Sequence, residues 1–445
     1  MHLDCDCTGA ATIALGTCPN GLSHAFRRLL PLTAWAILLL GGCLPIPESI
    51  TEDIVIDTDN VDELLDRYTH SHLDYGCSMV MMTESEQSYV GFRDVIENAS
   101  STIDMETLNF DNDQPFPQDI ALEFAQLLAD KAHAGVRVRV MLDSLTSNVL
   151  GRPEVNQVLA DGGGDVREYR PDRSLPESLF YRMHKKILIA DGQRAVIGGS
   201  NYGYRYEGPQ QWRDTNVLLT GPIVATLQQE FDYDWDNRSG PHHLVTAAAA
   251  LPEPSGPFAL REIDQKPSEN DFDINHAIII GLRLARQRVD IEAPYFNPTD
   301  WLIAELADAV ARGVQVRILM NSQMSIDVPQ GYYAEASLFG TVLERGIRVF
   351  LWDRAARTMH SKAMVVDDSL AMVGTYNFNA RSILWDTENV IFTTDPGAIQ
   401  LIDEMIQNDF QQQDVIREID LDWVNSQPPG EQFKWDLYGL FAPLF

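Results

Sequence analysis

The sequence predicts an α/β protein made of two copies of one unit, each a mixed sheet flanked by helices. Three observations carry this. Segments with the 3.6-residue spacing of amphipathic helices alternate with short apolar runs of strand length along most of the chain. The text also repeats at long range: Gly135 and Gly313 open matching runs 178 residues apart, and His184 and His360 lie in matching motifs 176 apart. So constant an offset means duplication of a whole domain, not a solenoid of short units. Finally, the strand runs are apolar throughout, as in sheets covered on both faces.

In the first copy, residues 89–99 have helical spacing, 102–110 read as a strand, 120–133 as a helix, 136–142 as a strand and 166–169 as a short strand. The glycines at 162–164 mark a turn, because no Lys-Ser/Thr step follows to make them a phosphate cradle. The second copy runs in the same order: helix at 275–286, strand at 289–293, helix at 301–311 and strand at 313–320. An alanine run with prolines at 244–257 marks the join. The expected domains are a leader at 1–42, an acidic linker at 43–84, a first half at 85–240, an inter-half linker at 241–260 and a second half at 261–445.

Of the 445 residues 45% are apolar, ample for a core, and 65 acidic against 33 basic residues give a formal charge of −32. Such a field repels polyanions, so nucleic acid is a poor partner, and it repels anionic bilayers too. Membrane attachment then needs an apolar or covalent anchor. Arg27 and Arg28 precede an apolar run at 29–40 that suits a secretory signal and is short for a spanning helix. The run ends in Leu40-Gly41-Gly42-Cys43, which resembles a bacterial lipobox and implies lipidation of Cys43. The competing reading is an uncleaved apolar stub. A membrane-anchored lipoprotein of the bacterial envelope, facing the periplasm or exterior, is the expected placement. Cys5, Cys7 and Cys18 would leave with the leader, so no disulfide framework survives around Cys77.

The chemistry sits in a duplicated motif. Met183-His184-Lys185-Lys186 runs through Ile187–Ala190 to Asp191 and on to Gly198-Gly199-Ser200-Asn201. Met359-His360-Ser361-Lys362 runs through Ala363–Val366 to Asp367 and on to Gly374-Thr375-Tyr376-Asn377. Both copies set Lys two beyond His, Asp five beyond Lys and Asn ten beyond Asp. Residues two apart share a face of a strand, so each His and Lys point the same way. An imidazole beside an ammonium suits an anion, and the like charge lowers the imidazole pKa, favouring a neutral nucleophilic ring in at least one copy. A lone strand histidine is usually structural. Two in matching motifs are not.

The paired His-x-Lys-x4-Asp motifs resemble those of the phospholipase D superfamily, and Gly198-Gly199-Ser200-Asn201, Trp212-Arg213-Asp214-Thr215 and Asp234-Trp235 look most like bacterial cardiolipin synthases. The resemblance covers roughly residues 85–445. It implies two halves packed about a pseudo-twofold axis, with both motifs meeting at one cleft. By resemblance His184 forms a phosphohistidine and His360 protonates the departing alcohol, although near-identical motifs leave the reverse order open. Lys186 and Lys362 grip phosphate oxygens, and Asn201 and Asn377 add amide hydrogen bonds. Asp191 and Asp367 belong to the family's catalytic signature, yet they lie a full strand beyond the lysines and are expected to hold the motif in shape. Asp214 and Glu388 are the carboxylates expected to orient the imidazoles.

Water attacking the intermediate would make a phospholipase, and a lipid hydroxyl a transferase; with phosphatidylglycerol as donor and acceptor the product is cardiolipin. Two lysines neutralise the phosphate, so no metal or other cofactor is expected. A metal-independent nuclease of the same superfamily is disfavoured by the acidic balance. A non-catalytic lipid-binding envelope protein is disfavoured by two intact motifs. The apolar tail with Phe433, Trp435, Leu437, Tyr438, Leu440 and Phe441 either sits at the headgroup level or packs on the core.

Overall fold

The structure is a computed structural model that describes residues 54–113, 116–149, 152–170, 175–238 and 252–444. The first half contributes seven strands: β1 (Asp74–Met82), β2 (Thr102–Thr107), β3 (Arg137–Asp143), β4 (Asp165–Tyr169), β5 (Ile187–Ala190), β6 (Arg194–Gly198) and β7 (Asn216–Thr220). The second contributes β8 (Phe258–Gln265), β9 (Arg288–Glu292), β10 (Gln315–Asn321), β11 (Arg348–Trp352), β12 (Ala363–Val366), β13 (Leu370–Gly374), β14 (Glu388–Thr393) and β15 (Ile416–Ile419). All join one sheet in the order β15-β11-β10-β9-β12-β13-β14-β8-β1-β7-β6-β5-β2-β3-β4. Outward from the centre the order is the same on both sides, with β15 added at one edge. The two central strands, β1 and β8, pair antiparallel. The duplication is therefore a pseudo-twofold arrangement with its axis between them.

Each half mixes directions for a reason visible in its connections. β2, β3 and β4 are parallel, as are β9, β10 and β11, and helices make those crossovers. The hairpins β5–β6 and β12–β13 are antiparallel and need only tight turns. The helix expected at 120–133 is present as Ile120–His133: Asp119 caps it by accepting from Leu122 N–H at 3.1 Å, and Ile120, Ala121, Phe124, Ala125, Leu128 and Ala129 form its buried stripe.

Period-2 alternation sends each motif strand into two cores. Ile187 and Ile189 join Ile197, Val217 and Leu219 in a cluster that also takes Ala363, Val365, Ala371, Val373 and Ile391 from the second half. Leu188 and Ala190 face the other way, onto Phe92, Phe124 and Leu128 of the covering helices. All four residues of β5 are almost fully buried. At roughly 1.5–3 kcal/mol per large apolar side chain, this burial locks the strand that positions the motif.

Asp191 and Asp367 occupy the turns after β5 and β12, both with positive φ, 56° and 50°. Asp and Asn tolerate that region better than bulkier residues. Asp191 accepts from the backbone N–H of Ser100, Ser101 and Thr102 at 2.9, 2.7 and 2.9 Å. Asp367 accepts from those of Arg286, Gln287 and Arg288, each at 2.8 Å. Each carboxylate thus nails the start of the neighbouring strand, β2 or β9, to the motif strand.

Three expectations are corrected. Residues 61–84, assigned to an acidic linker, contain the helix Val61–Tyr68 and β1, which lies at the centre of the sheet between β7 and β8. Of the acids that suggested a linker, those within the described residues are partnered: Asp57 with Arg67, Asp59 with Arg286, and Asp62 with the buried Arg261, which also meets Asp66. Residues 258–260, assigned to the inter-half linker, belong to β8. The placement as a membrane-anchored lipoprotein facing the periplasm or exterior also falls. Among the described residues no helix is long and apolar enough to cross a membrane, and the run at 29–40 is shorter than the ~20 residues a span requires. That run, with Cys5, Cys7, Cys18 and Cys43, lies outside the described residues. Cys77 is a buried free thiol.

Asp367→Ala leaves three backbone donors without their acceptor and should lower stability by about 2–3 kcal/mol, with Asp367→Asn losing less. The midpoint of urea denaturation reads this directly; an unchanged midpoint would show that the carboxylate does not hold β9.

Candidate active site

Short backbone bridges bring each motif to the opposite half. Met183 bridges Thr387, and Met359 bridges Arg213. His184 N–H donates to the Thr387 carbonyl at 3.0 Å, and His360 N–H donates to the Arg213 carbonyl at 2.6 Å. The next residue in each partner segment is the carboxylate that meets the imidazole. His184 Nδ1 lies 2.9 and 3.1 Å from the two oxygens of Glu388, and His360 Nδ1 lies 2.8 Å from Asp214 Oδ2. Every histidine is therefore held by the half it does not belong to. An accepting carboxylate places the ring hydrogen on Nδ1 and leaves Nε2 with its lone pair.

The carboxylates are themselves positioned. Ser382 Oγ donates to Glu388 at 2.5 Å, while Thr215 N–H and Ser200 Oγ donate to Asp214 at 2.8 and 3.1 Å. Gly199 is required by this close approach, because a Cβ there would come within 2.1 Å of Asp214 Oδ1. Lys186 Nζ donates to the His184 carbonyl at 2.7 Å, and Lys362 Nζ to that of His360 at 2.5 Å. Both ammonium groups are buried behind the imidazoles.

His184, His360, Asn201 and Asn377 all line one cleft of about 510 Å³. Asn201 Nδ2 donates to the Tyr206 hydroxyl at 3.0 Å, whereas the Asn377 Oδ1 has no hydrogen-bond partner. Of the ten residues singled out in the two motifs and their supports, the structure brings eight to this site; Asp191 and Asp367 stand apart at the far ends of their strands.

Burial and charge make the two sides unequal. Burial, with Lys186 beside it, holds the His184 imidazole well below the usual histidine range. Burial and Lys362 lower His360, opposed by Asp214. Burial raises Glu388 to about 7. Asp214 stays below the carboxylate range despite its burial, through His360 and Lys362. Burial also lowers Lys186 to about 8 and Lys362 to about 7. The Asp214 side thus keeps a full negative charge next to its imidazole, and the Glu388 side a weaker one.

Behind the site the symmetry breaks again. Lys185, next to His184, is fully buried and pairs with Asp234 at 2.6 Å and Asp264 at 2.7 Å, tying the motif to the helix Ile223–Arg238 and to β8. At the matching place in the second copy stands Ser361, bonded to Thr215 Oγ1 at 2.8 Å, while Arg213 pairs with Asp409 at 2.5 Å. The Lys185–Asp264 and Arg213–Asp409 pairs cross between halves; removing one partner would strand a charge in the core.

Several cleft residues were not singled out from the sequence: Arg182, Arg205, Arg381, Tyr206, Tyr295 and Asp327. The rings of Trp212, Tyr206 and Tyr295 surround His360 at 5.2, 5.6 and 5.9 Å. A signal for the arginines was present, since Arg205 and Arg381 each stand four residues after the motif asparagine. As for metals, one group among the described residues has ligand atoms within 4.8 Å of one another, His70 with Asp271 and Asp273. None of the three lines the cleft.

With this geometry in view, the class is defined. The chain belongs to the phospholipase D-like family described as "Cardiolipin synthase, PLD-like domain", whose model matches residues 92–235 and 278–410. It is 33% identical over 298 residues to cardiolipin synthase A of Pseudomonas putida, covering 64% of this chain and 60% of that protein. It is 28% identical over 392 residues to cardiolipin synthase 2 of Bacillus anthracis, covering 86% and 73%. The major cardiolipin synthase ClsA of Bacillus subtilis is 32% identical over 285 residues, covering 62% and 58%. The match thus spans about three-fifths of the P. putida and B. subtilis proteins. Among solved structures, the phosphatidylserine synthase of Haemophilus influenzae superposes with a TM-score of 0.67 at 17% identity, covering 87% of this chain and all of that one. The polyphosphate kinase of Porphyromonas gingivalis gives 0.52 at 13% identity, covering 90% and 58%. Both likenesses speak to the fold.

Proposed function

We propose that this protein is a phosphatidyltransferase of the cardiolipin synthase kind, acting on phosphatidylglycerol through a phosphohistidine. The observation that carries the reading is the pair of imidazoles opening on one cleft, each steadied by a carboxylate from the other half. Similarity to three cardiolipin synthases supplies the substrate class.

The inequality of the two sides supports a role for each. His184, held neutral more strongly, is the nucleophile: its Nε2 attacks the phosphorus of the donor lipid as the bond to the glycerol oxygen breaks. His360, beside the fully charged Asp214, keeps a proton more readily and gives it to that oxygen. The glycerol leaves. His360, now neutral, takes a proton from the acceptor hydroxyl as its oxygen attacks phosphorus and the N–P bond breaks, restoring both rings. In this reading the ammonium groups of Lys186 and Lys362 and the amide N–H groups of Asn201 and Asn377 stabilise the charge that gathers on the non-bridging oxygens. Water in place of the acceptor gives phosphatidic acid.

Access to lipid falls to the last helix. In Pro429–Gly439 and the residue after it, Phe433, Leu437 and Leu440 recur at i, i+4 and i+7 and are exposed by 65%, 43% and 69%. The opposite face carries the buried Trp435, packed on Trp423 and Phe339. Of the two expectations for the tail, core packing holds for Trp435, and contact of the exposed face with a membrane is part of the proposal.

Purified protein incubated with phosphatidylglycerol vesicles should yield cardiolipin or phosphatidic acid. His184→Ala and His360→Ala should each cost at least ~10³-fold in turnover. Retention of turnover in either variant would remove the shared-cleft mechanism, and DNA cleavage without lipid products would replace the substrate class. For pH, kcat/KM reports the free enzyme. Raising pH strips the proton of His360 first, below the usual histidine range, and then those of Lys362 at about 7 and Lys186 at about 8. The rate should therefore fall as pH climbs through 7–8, with its acid limb well below 6.5, where His184 becomes charged. A rate that keeps rising to pH 9 contradicts the assignment. Replacing Phe433, Leu437 and Leu440 together with serine should release the protein from sedimented vesicles. Because the chain carries a charge of −32, added salt should strengthen rather than weaken adhesion of the unaltered protein to anionic vesicles. Salt-induced release would argue for a basic contact instead.

A further inference from the structure

Three arginines line the cleft, and their pairing differs sharply. Arg182 is held by Asp143, with Nε and Nη2 both 2.9 Å from Oδ1, and its side chain is 16% exposed. Arg381 is clamped by Asp386 through Nε at 3.2 Å and Nη2 at 2.7 Å, and is further bound to the Phe180 carbonyl. Arg205 is the pseudo-symmetric counterpart of Arg381, four residues after its own motif asparagine. Its carboxylate, Asp111, is 3.8 Å away, and its side chain is 42% exposed. The cleft therefore offers one loosely held guanidinium, on one side only. Its position is specific: the Arg205 guanidinium stands over the Trp212 ring at 6.0 Å, and that ring lies 5.2 Å from His360.

We propose that Arg205 is the anchor for a second phosphate, the one carried by the acceptor alcohol. This rests on the phosphatidyltransferase reading. In that reaction His360 deprotonates the acceptor hydroxyl, so the acceptor sits on the His360 side, one indole ring from Arg205. A phosphatidylglycerol acceptor carries its own diester a glycerol length from the reacting hydroxyl, and a guanidinium fork pairs with phosphate through two parallel hydrogen bonds. The carboxylates on the same wall suit the rest of that headgroup. Asp111, and Asp327 in its hydrogen bond to Tyr295 at 2.6 Å, accept from glycerol hydroxyls. An acceptor without a phosphate would leave Arg205 unused.

The test is a competition between acceptors. Wild type and Arg205→Ala are given phosphatidylglycerol vesicles with labelled glycerol and, separately, with labelled glycerol 3-phosphate. Transfer to the lipid gives cardiolipin, transfer to glycerol gives labelled phosphatidylglycerol, and transfer to the soluble ester gives labelled phosphatidylglycerol phosphate. The ratio of cardiolipin to labelled phosphatidylglycerol should fall about tenfold in Arg205→Ala, the scale of a lost charge-assisted hydrogen bond, and by less in Arg205→Lys. A fall seen with the lipid supports the anchor for the acceptor headgroup; a fall confined to the soluble ester overturns that assignment and points to a free phosphate instead. An unchanged ratio, or an equal loss of every product, overturns the proposal while leaving the transferase reading intact. Absence of lipid products from the wild type overturns both.

Discussion

The site depends on one constraint: each motif imidazole is completed by a carboxylate from the other half of the chain. His184 meets Glu388 and His360 meets Asp214 across sequence separations of 204 and 146 residues. The backbone bridges at Met183–Thr387 and Met359–Arg213 place those carboxylates, and the antiparallel β1–β8 pair fixes the two halves in one sheet. Neither half alone holds an oriented histidine. A repeat that could fold independently is thus made obligately double, and the buried pairs Lys185–Asp264 and Arg213–Asp409, which also cross between halves, make separation costly.

Duplication supplies two similar sets of groups; on the proposed function the reaction has a direction, and the differences between the copies fall along it. Glu388 against Asp214, Lys185 against Ser361, and Arg381 clamped against Arg205 loose are three departures from symmetry around one cleft. The first separates the proton affinities of the two imidazoles. The third separates the anion-holding capacity of the two walls.

Much of this was legible in the sequence because short-range signals and the function coincide there. The motif strands are apolar on both faces because the sheet is covered on both, so 187–190 and 363–366 stand out and match β5 and β12. The helix at 120–133 carries its own cap and stripe. What escaped was decided at long range. β1 was hidden because its acidic surroundings look like a linker until Arg67, Arg261 and Arg286 are seen to pair with them. Its Asp74–Met82 text, broken at Gly76 by a positive φ and a register shift, lacks a clean strand period. The aromatic ring around His360 draws Tyr206, Trp212 and Tyr295 from both halves, a convergence that local spacing cannot express. Arg205 and Arg381 share a sequence offset, yet only the geometry separates a clamped guanidinium from a loose one.

The acidic exterior and the cationic cleft are parts of one arrangement. A charge of −32 discourages soluble polyanions from approaching, and on the proposed function the phosphate would instead be delivered at a lipid surface. Inside, burial has already drawn Lys186 down to about 8 and Lys362 to about 7, leaving both partly neutral in the empty site. An arriving phosphodiester supplies the counter-charge that burial withheld, so binding and lysine protonation reinforce each other. On the proposed function, Glu388 and Asp214 support the two lysines in the free protein, and a bound phosphodiester would add to that support.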